Sequence, residues 1–192
     1  MTWRNYAVGG GTITPGTTTT AGADRHWISS NIDVIHVDYP MLDYLILEGG
    51  TNDADLLGVD SLGTYDPDDY GGSYDTTTFS GAFELMLYKA VTYYPRAKIG
   101  YIVAHKMGDR SGRARRRPYF DRAVELCIKW GVPYIDLWHG AHLNRMLPGH
   151  YDASLDAQGN RDAGSLYTDG QHLTSAGYDF ITPKIEAWMR TL

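Results

Sequence analysis

Cys127 is the only cysteine among 192 residues, which excludes an intramolecular disulfide framework and any multi-thiolate metal site. Its place in an apolar helical stripe marks it as a buried residue. No apolar run approaches the roughly 20 residues that cross a bilayer, and mean hydropathy is -0.35, so neither a spanning helix nor a membrane partner is expected. Met1 to Asn5 lack the basic segment and apolar stretch of a secretory signal, so export is expected to need a longer precursor or another route. Positive charge is in deficit, with 17 Lys and Arg against 23 Asp and Glu and a net charge of -6. The Arg-rich stretch from Arg110 to Arg117 is short and local, so nucleic acid is not an expected partner. That run reads as a solvated face, or as a holder of an acidic glycan. His105, His139, His142 and His150 show no zinc spacing, and Asp66, Asp68, Asp69 and Asp75 lack the EF-hand pattern. No metal and no cofactor is therefore expected.

What is present is enough for a core. Apolar residues make up 43% of the chain, and neither repeats nor a Pro- and Ser-rich linker divides it, so residues 1–192 read as one domain. Four short segments rich in branched or aromatic residues predict strands at Tyr6 to Val8, Tyr44 to Leu47, Ile99 to Val103 and Tyr134 to Leu137. Between Ser80 and Tyr94, the residues Phe83, Met86, Leu87, Ala90, Val91 and Tyr94 fall on one helical face, which Pro95 ends. Phe120, Ala123, Val124, Cys127 and Ile128 predict a second helix from near Pro118 to Gly131. A third follows Thr174 as N-cap and turns Phe180, Ile181, Ile185, Trp188 and Met189 inward, with Pro183 kinking its first turns. Strands alternating with amphipathic helices predict an α/β fold, a three-layer α/β/α sandwich on a mostly parallel sheet. Two long connections, Asp53 to Thr78 and Leu147 to Thr168, suggest a rim that faces a ligand.

Three stretches carry chemistry. The predicted strand at Tyr44 runs into Gly49-Gly50-Thr51-Asn52-Asp53, at the sheet edge where open α/β folds bind ligands. An Asn fixed there can donate to a developing oxyanion, or the segment can be an ordinary turn. Asp169-Gly170-Gln171-His172 puts a carboxylate and an imidazole three positions apart before the last helix. The carboxylate can orient one ring nitrogen while the other takes a proton, or the His can simply cap a turn. Asn5-Tyr6-Ala7-Val8-Gly9-Gly10-Gly11-Thr12 leads into three glycines whose N–H groups could meet an anion, or form a plain turn.

Taken in chain order, the three stretches resemble the second, third and fifth conserved blocks of the SGNH, or GDSL-type, hydrolases, whose members are mostly esterases with a flavodoxin-like sheet. The resemblance implies Gly10 as a backbone oxyanion donor, Asn52 as the side-chain donor, His172 as general base and Asp169 as its orienter. The stretch from Tyr44 through His105 to the last helix is similar to domains of phage tail and prophage proteins. The family's first block, Gly-Asp-Ser on the first strand, has no counterpart upstream of Asn5, and no later Ser stands in a Gly-Asp-Ser context. The chain is thus expected to lack its nucleophile and first strand, as a domain truncated at the N-terminus, and to be nearly inactive alone, since loss of a triad serine costs on the order of 10⁶ in kcat. About five buried apolar residues at about 2 kcal/mol each would go with that strand. Self-association or a partner chain completing the sheet is the expected consequence.

The function implied is removal of small acyl groups, acetyl among them, from a carbohydrate. The 15 Tyr and five Trp suit the stacking of sugars. An alternative is a tail-associated carbohydrate-binding or structural module that is catalytically inactive. The sequence leaves the compartment open; the resemblance is compatible with a place on a virion tail or outside the cell as part of a longer protein.

Overall fold

The computed structural model describes residues 2–16, 27–71, 73–107, 116–145, 147, 149–151 and 165–192. In chain order these form α1 (Ile28–Asp38), β1 (Tyr44–Glu48), α2 (Thr51–Leu56), a 3-10 turn (Val59–Leu62), α3 (Phe79–Tyr93), β2 (Lys98–Val103), α4 (Arg116–Trp130), β3 (Tyr134–Asp136), the single turn α5 (Leu137–Gly140) and α6 (Ser175–Met189).

The three strands form a parallel sheet in the order β1-β2-β3. Leu47 lies opposite Tyr101 and Val103 opposite Asp136, so all three strands end at one edge. Side chains alternate across β2 as the period of a strand requires. Tyr101 meets Phe83 of α3 with ring centroids 5.0 Å apart, in a core that also buries Ile32, Met86, Leu87, Phe120, Leu126 and Cys127. Gly100 faces the other way, and only a residue without Cβ fits there, because a Cβ would lie 2.6 Å from the Trp188 ring of α6. On that second face Leu137, Leu143, Tyr167, Leu173 and Ile181 pack with Ile102 and Ile135. Helices on both faces of a parallel sheet make the three-layer α/β fold that the alternation of elements predicts.

The α3 stripe packs as its spacing demands, with Phe83, Met86, Leu87 and Ala90 fully buried, and Thr78 caps the helix by accepting from the Gly81 N–H. Thr174 caps α6 by accepting from the Gly177 N–H at 3.1 Å, and Pro183 lies inside that helix. Several expectations need correction. Tyr6 to Val8 form no strand; the segment lies against α1 instead, where Asn31 Nδ2 donates to the Tyr6 carbonyl at 3.2 Å and the Tyr6 hydroxyl to Asp38 at 2.6 Å. A strand needs a neighbouring strand for its backbone groups, and no described strand pairs with this segment. Ile128 and Phe180 are exposed, one position off the stripes that bury Cys127 and Ile181. The connection from Asp53 to Thr78 is not all loop, since α2 and the 3-10 turn occupy its first part. Most of the connection from Leu147 to Thr168 lies outside the described residues.

Candidate active site

The edge where the strands end is built on α2. Gly50 opens this helix in the left-handed conformation with φ of 91°, which favours glycine. Gly49 packs so closely that a Cβ would fall 2.5 Å from Ile28 Cδ1. The next residues then point their polar ends at other parts of the chain. Asn52 Nδ2 donates to the Gly11 carbonyl at 2.9 Å. Asp53 is wholly buried, and its two oxygens accept from the backbone N–H groups of Ile13 at 2.9 Å and Thr14 at 2.8 Å. Burial raises the Asp53 carboxyl above its ordinary range, against the lowering effect of those backbone bonds.

Together these contacts dock the glycine-rich loop onto the end of β1. Gly10 has φ of 80° and sits in a turn closed by Gly11 N–H donating to the Val8 carbonyl at 3.0 Å. Among the described residues nothing accepts the Gly10 N–H. Asn52 keeps one amide hydrogen beyond the one that Gly11 receives.

The Asp169–His172 turn forms a closed local unit. Asp169 Oδ1 accepts from the backbone N–H of Gln171 at 3.0 Å and of His172 at 2.8 Å, while Oδ2 takes the His172 ring at Nδ1, 2.9 Å away. Burial pushes the Asp169 carboxyl up, but the bonds from His172 and Gln171 outweigh it and hold the group well below the usual carboxylate range. The acid is ionised at neutral pH and fixes Nδ1 as the protonated nitrogen, which leaves Nε2 as the acceptor. The His172 side chain is 64% exposed, so a reactant can reach it.

Two groups, the half-buried His105 and the buried Arg116, hold Gln171, the residue next to His172. His105, which follows β2, meets the Gln171 carbonyl through Nε2 at 2.8 Å. Burial lowers the His105 pKa, the Gln171 bond opposes this, and the charges of His172 and Arg116 lower it further, so the ring is neutral and donates. Arg116, at the start of α4, donates from Nη2 to Gln171 Oε1 at 3.0 Å. Its Nε and Nη2 also form a fork with Asp55 of α2, at 2.7 and 2.6 Å. The Tyr167 hydroxyl donates to the Lys106 carbonyl, so the strand ends hold the turn from a further side.

The Gly10 loop and Asn52 thus meet directly, and the Asp169–His172 turn joins them through Gln171, Arg116 and Asp55. Arg116 corrects the solvated reading of the basic run: its side chain is 3% exposed and paired. The rest of that run, residues 110–115, lies outside the described residues, and Arg117 faces solvent beside Asp121. Sequence reasoning passed over Arg116, although it lies four positions before Phe120, on the helical stripe that buries Phe120 and Ala123. A second pair with the same local form also went unremarked. Asp136 caps α5 through the His139 N–H at 3.0 Å and takes His139 Nδ1 at 2.7 Å. The acidic loop residues do the work of turns, Asp66 accepting from Asp68 N–H and Asp75 from Thr77 N–H. Among the described residues no group of three His, Cys, Asp or Glu side chains gathers as a metal would need, and no serine hydroxyl is hydrogen-bonded to His172.

Neither a family model nor a curated protein matches the sequence. Solved structures do match in fold. A Lactobacillus plantarum protein superposes with a TM-score of 0.67 at 24% identity, over 95% of this chain and 77% of its own. A Bacteroides ovatus protein named as a GDSL-like lipase gives 0.55 at 20% identity, over 95% of this chain and 69% of its own. A Chitinophaga pinensis protein named as a possible lipase gives 0.58 at 18% identity, over 85% of this chain and 77% of its own. The structural neighbours therefore include GDSL-like lipases, and this chain shares their α/β fold.

Proposed function

We propose that this chain carries most of an SGNH-type ester-hydrolase site. His172 Nε2 is the general base, Asp169 orients it, and the Gly10 N–H with the second amide hydrogen of Asn52 stabilises the oxyanion. The observation that carries this reading is the Asp169–His172 pair, ionised acid on Nδ1 and Nε2 open to solvent, tied to the helix that bears Asn52. The attacking hydroxyl comes from a serine on a strand that pairs along the edge of β1 away from β2, which no described strand occupies. Acyl transfer then runs from ester to serine to water, with His172 moving the proton at both steps. The substrate is an acylated carbohydrate, acetyl the acyl group, a choice supported by the family resemblance and the aromatic composition.

The test is hydrolysis of p-nitrophenyl acetate by the 192-residue chain and by a form extended at the N-terminus with a Gly-Asp-Ser strand. The extended form should turn over, and His172→Ala should cost it on the order of 10⁶ in kcat. Turnover by the unextended chain that survives His172→Ala would refute the assignment. The absence of any described serine on His172 favours a second reading, a module that binds acylated glycan without cleaving it. Glycan retention by both forms with no product in either would support that module.

A further inference from the structure

We propose that Arg116 is the positioning residue of this site, a buried strut that sets the His172 turn against the helix presenting Asn52. The proposal rests on the ester-hydrolase reading for its purpose, though not for its geometry.

Asp55 lies one helical turn from Asn52 on α2, so both occupy neighbouring places on one face. Gln171 precedes His172. Arg116 bridges the two through three hydrogen bonds of 2.6 to 3.0 Å, from a side chain with 3% exposure. A guanidinium so enclosed is costly unless paired. Asp55 supplies the charge, and the planar fork leaves Nη2 a further hydrogen in a fixed direction, which Gln171 Oε1 takes. A lysine could match the charge but not the two directions. His105 holds the backbone of the same Gln171 from the end of β2. The residue beside the base is therefore gripped at side chain and main chain by groups from two other elements, and a local Asp–His turn acquires a fixed place relative to the oxyanion side.

The Asp136–His139 pair supplies an internal control. It has the same carboxylate-to-Nδ1 and carboxylate-to-backbone bonds, at 2.7 and 3.0 Å. No hydrogen bond joins Leu137 or Trp138 to Arg116 among the described residues. Removal of the strut should loosen His172 and leave His139 alone.

The experiment is long-range ¹H–¹⁵N spectroscopy on the ¹⁵N-histidine-labelled chain, in wild type, Gln171→Ala and Arg116→Lys. Wild type should show His172 as the Nδ1–H tautomer. In both variants the Nδ1–H population should fall and its exchange with solvent should quicken about tenfold, the ratio set by loss of one such bond, with His139 unchanged. Wild-type His172 spectra in a folded Gln171→Ala protein would overturn the proposal, and so would equal changes at His172 and His139. Gln171→Ala leaves the Arg116–Asp55 pair intact, so it decides the matter even where Arg116→Lys does not fold. The readout uses no substrate. A loosened His172 in a protein that never hydrolyses an ester would uphold the strut and sink the hydrolase, whereas an undisturbed His172 in an active extended form would do the reverse.

Discussion

Replacement of Asp53 by Ala should release the glycine-rich loop from the sheet edge. The carboxylate is wholly buried and is the acceptor for two backbone N–H groups, those of Ile13 and Thr14. Removal of an acceptor from a buried donor costs about 1–3 kcal/mol, so loss of both costs about 2–6 kcal/mol, a large part of the roughly 5–15 kcal/mol that holds a domain folded. Asp53→Asn should recover only part of this, because one of its two end groups is a donor facing a donor. The assay is urea unfolding followed by tryptophan emission, with amide exchange at Ile13 and Thr14 as the local reporter. The pH dependence has a definite sign. Because burial raises the folded-state pKa of Asp53 above its ordinary value of 3.8, its linkage contribution is fully present below 3.8 and is lost as pH rises through the folded value. The gap between wild type and Asp53→Ala should accordingly widen in acid. A loss under about 1 kcal/mol, with the loop amides still protected, would refute the role of Asp53 as the latch.

Gly100→Ala should cost about 1–3 kcal/mol by overpacking, since its Cβ would sit 2.6 Å from Trp188 and 3.1 Å from Leu192; thermal melts should show the cost shrinking when Trp188→Leu is added, and equal costs in both backgrounds would refute the contact. Lys129 and Glu84 form an ion pair with side-chain exposures of 4% and 6%, so Lys129→Met should destabilise by about 3–5 kcal/mol through the stranded carboxylate, and the double variant with Glu84→Leu should recover most of it. Chemical denaturation that finds the double variant weaker than the single would count against this. The depressed Asp169 carboxyl contributes stability above 3.8 that is lost as pH falls; Asp169→Asn should flatten that acid limb, and an unaltered limb in titration-coupled melts would contradict the bonds assigned to it.

Interactions within a few residues were legible in the sequence, and those between distant residues were not. The α3 and α4 stripes could be read because burial repeats with the helical period. The Asp169–His172 contact could be read because a three-residue spacing brings the two side chains together in any tight turn. By contrast α1 hides its period: Ile32 is buried, yet Val34 and Val37 are exposed, and no side-chain cap marks its start. Tyr6 to Val8 have the composition of a strand, but composition does not supply the neighbour that a strand requires. Arg116 was lost inside its own basic run. A charge run suggests solvent on average, whereas the helical stripe through Phe120 and Ala123 singles out Arg116, whose guanidinium turns inward.

The joints that sequence could not show are almost all polar, and there is a physical reason for that at a sheet edge proposed to receive a ligand. Apolar packing positions a group by surrounding it, and a surrounded group cannot meet a reactant. His172 stays 64% exposed while its neighbour Gln171 is held by the buried Arg116 and the half-buried His105. A helix of six residues such as α2 has no stability of its own, so its place is set by Asn52 and Asp53, both bonded to the loop at residues 11–14, and by Asp55, bonded to Arg116. Such directional bonds tolerate little error, because a buried polar group without its partner is costly. That intolerance lets a short, open helix hold two separate stretches of sequence in a fixed relation, as the proposed proton transfer requires.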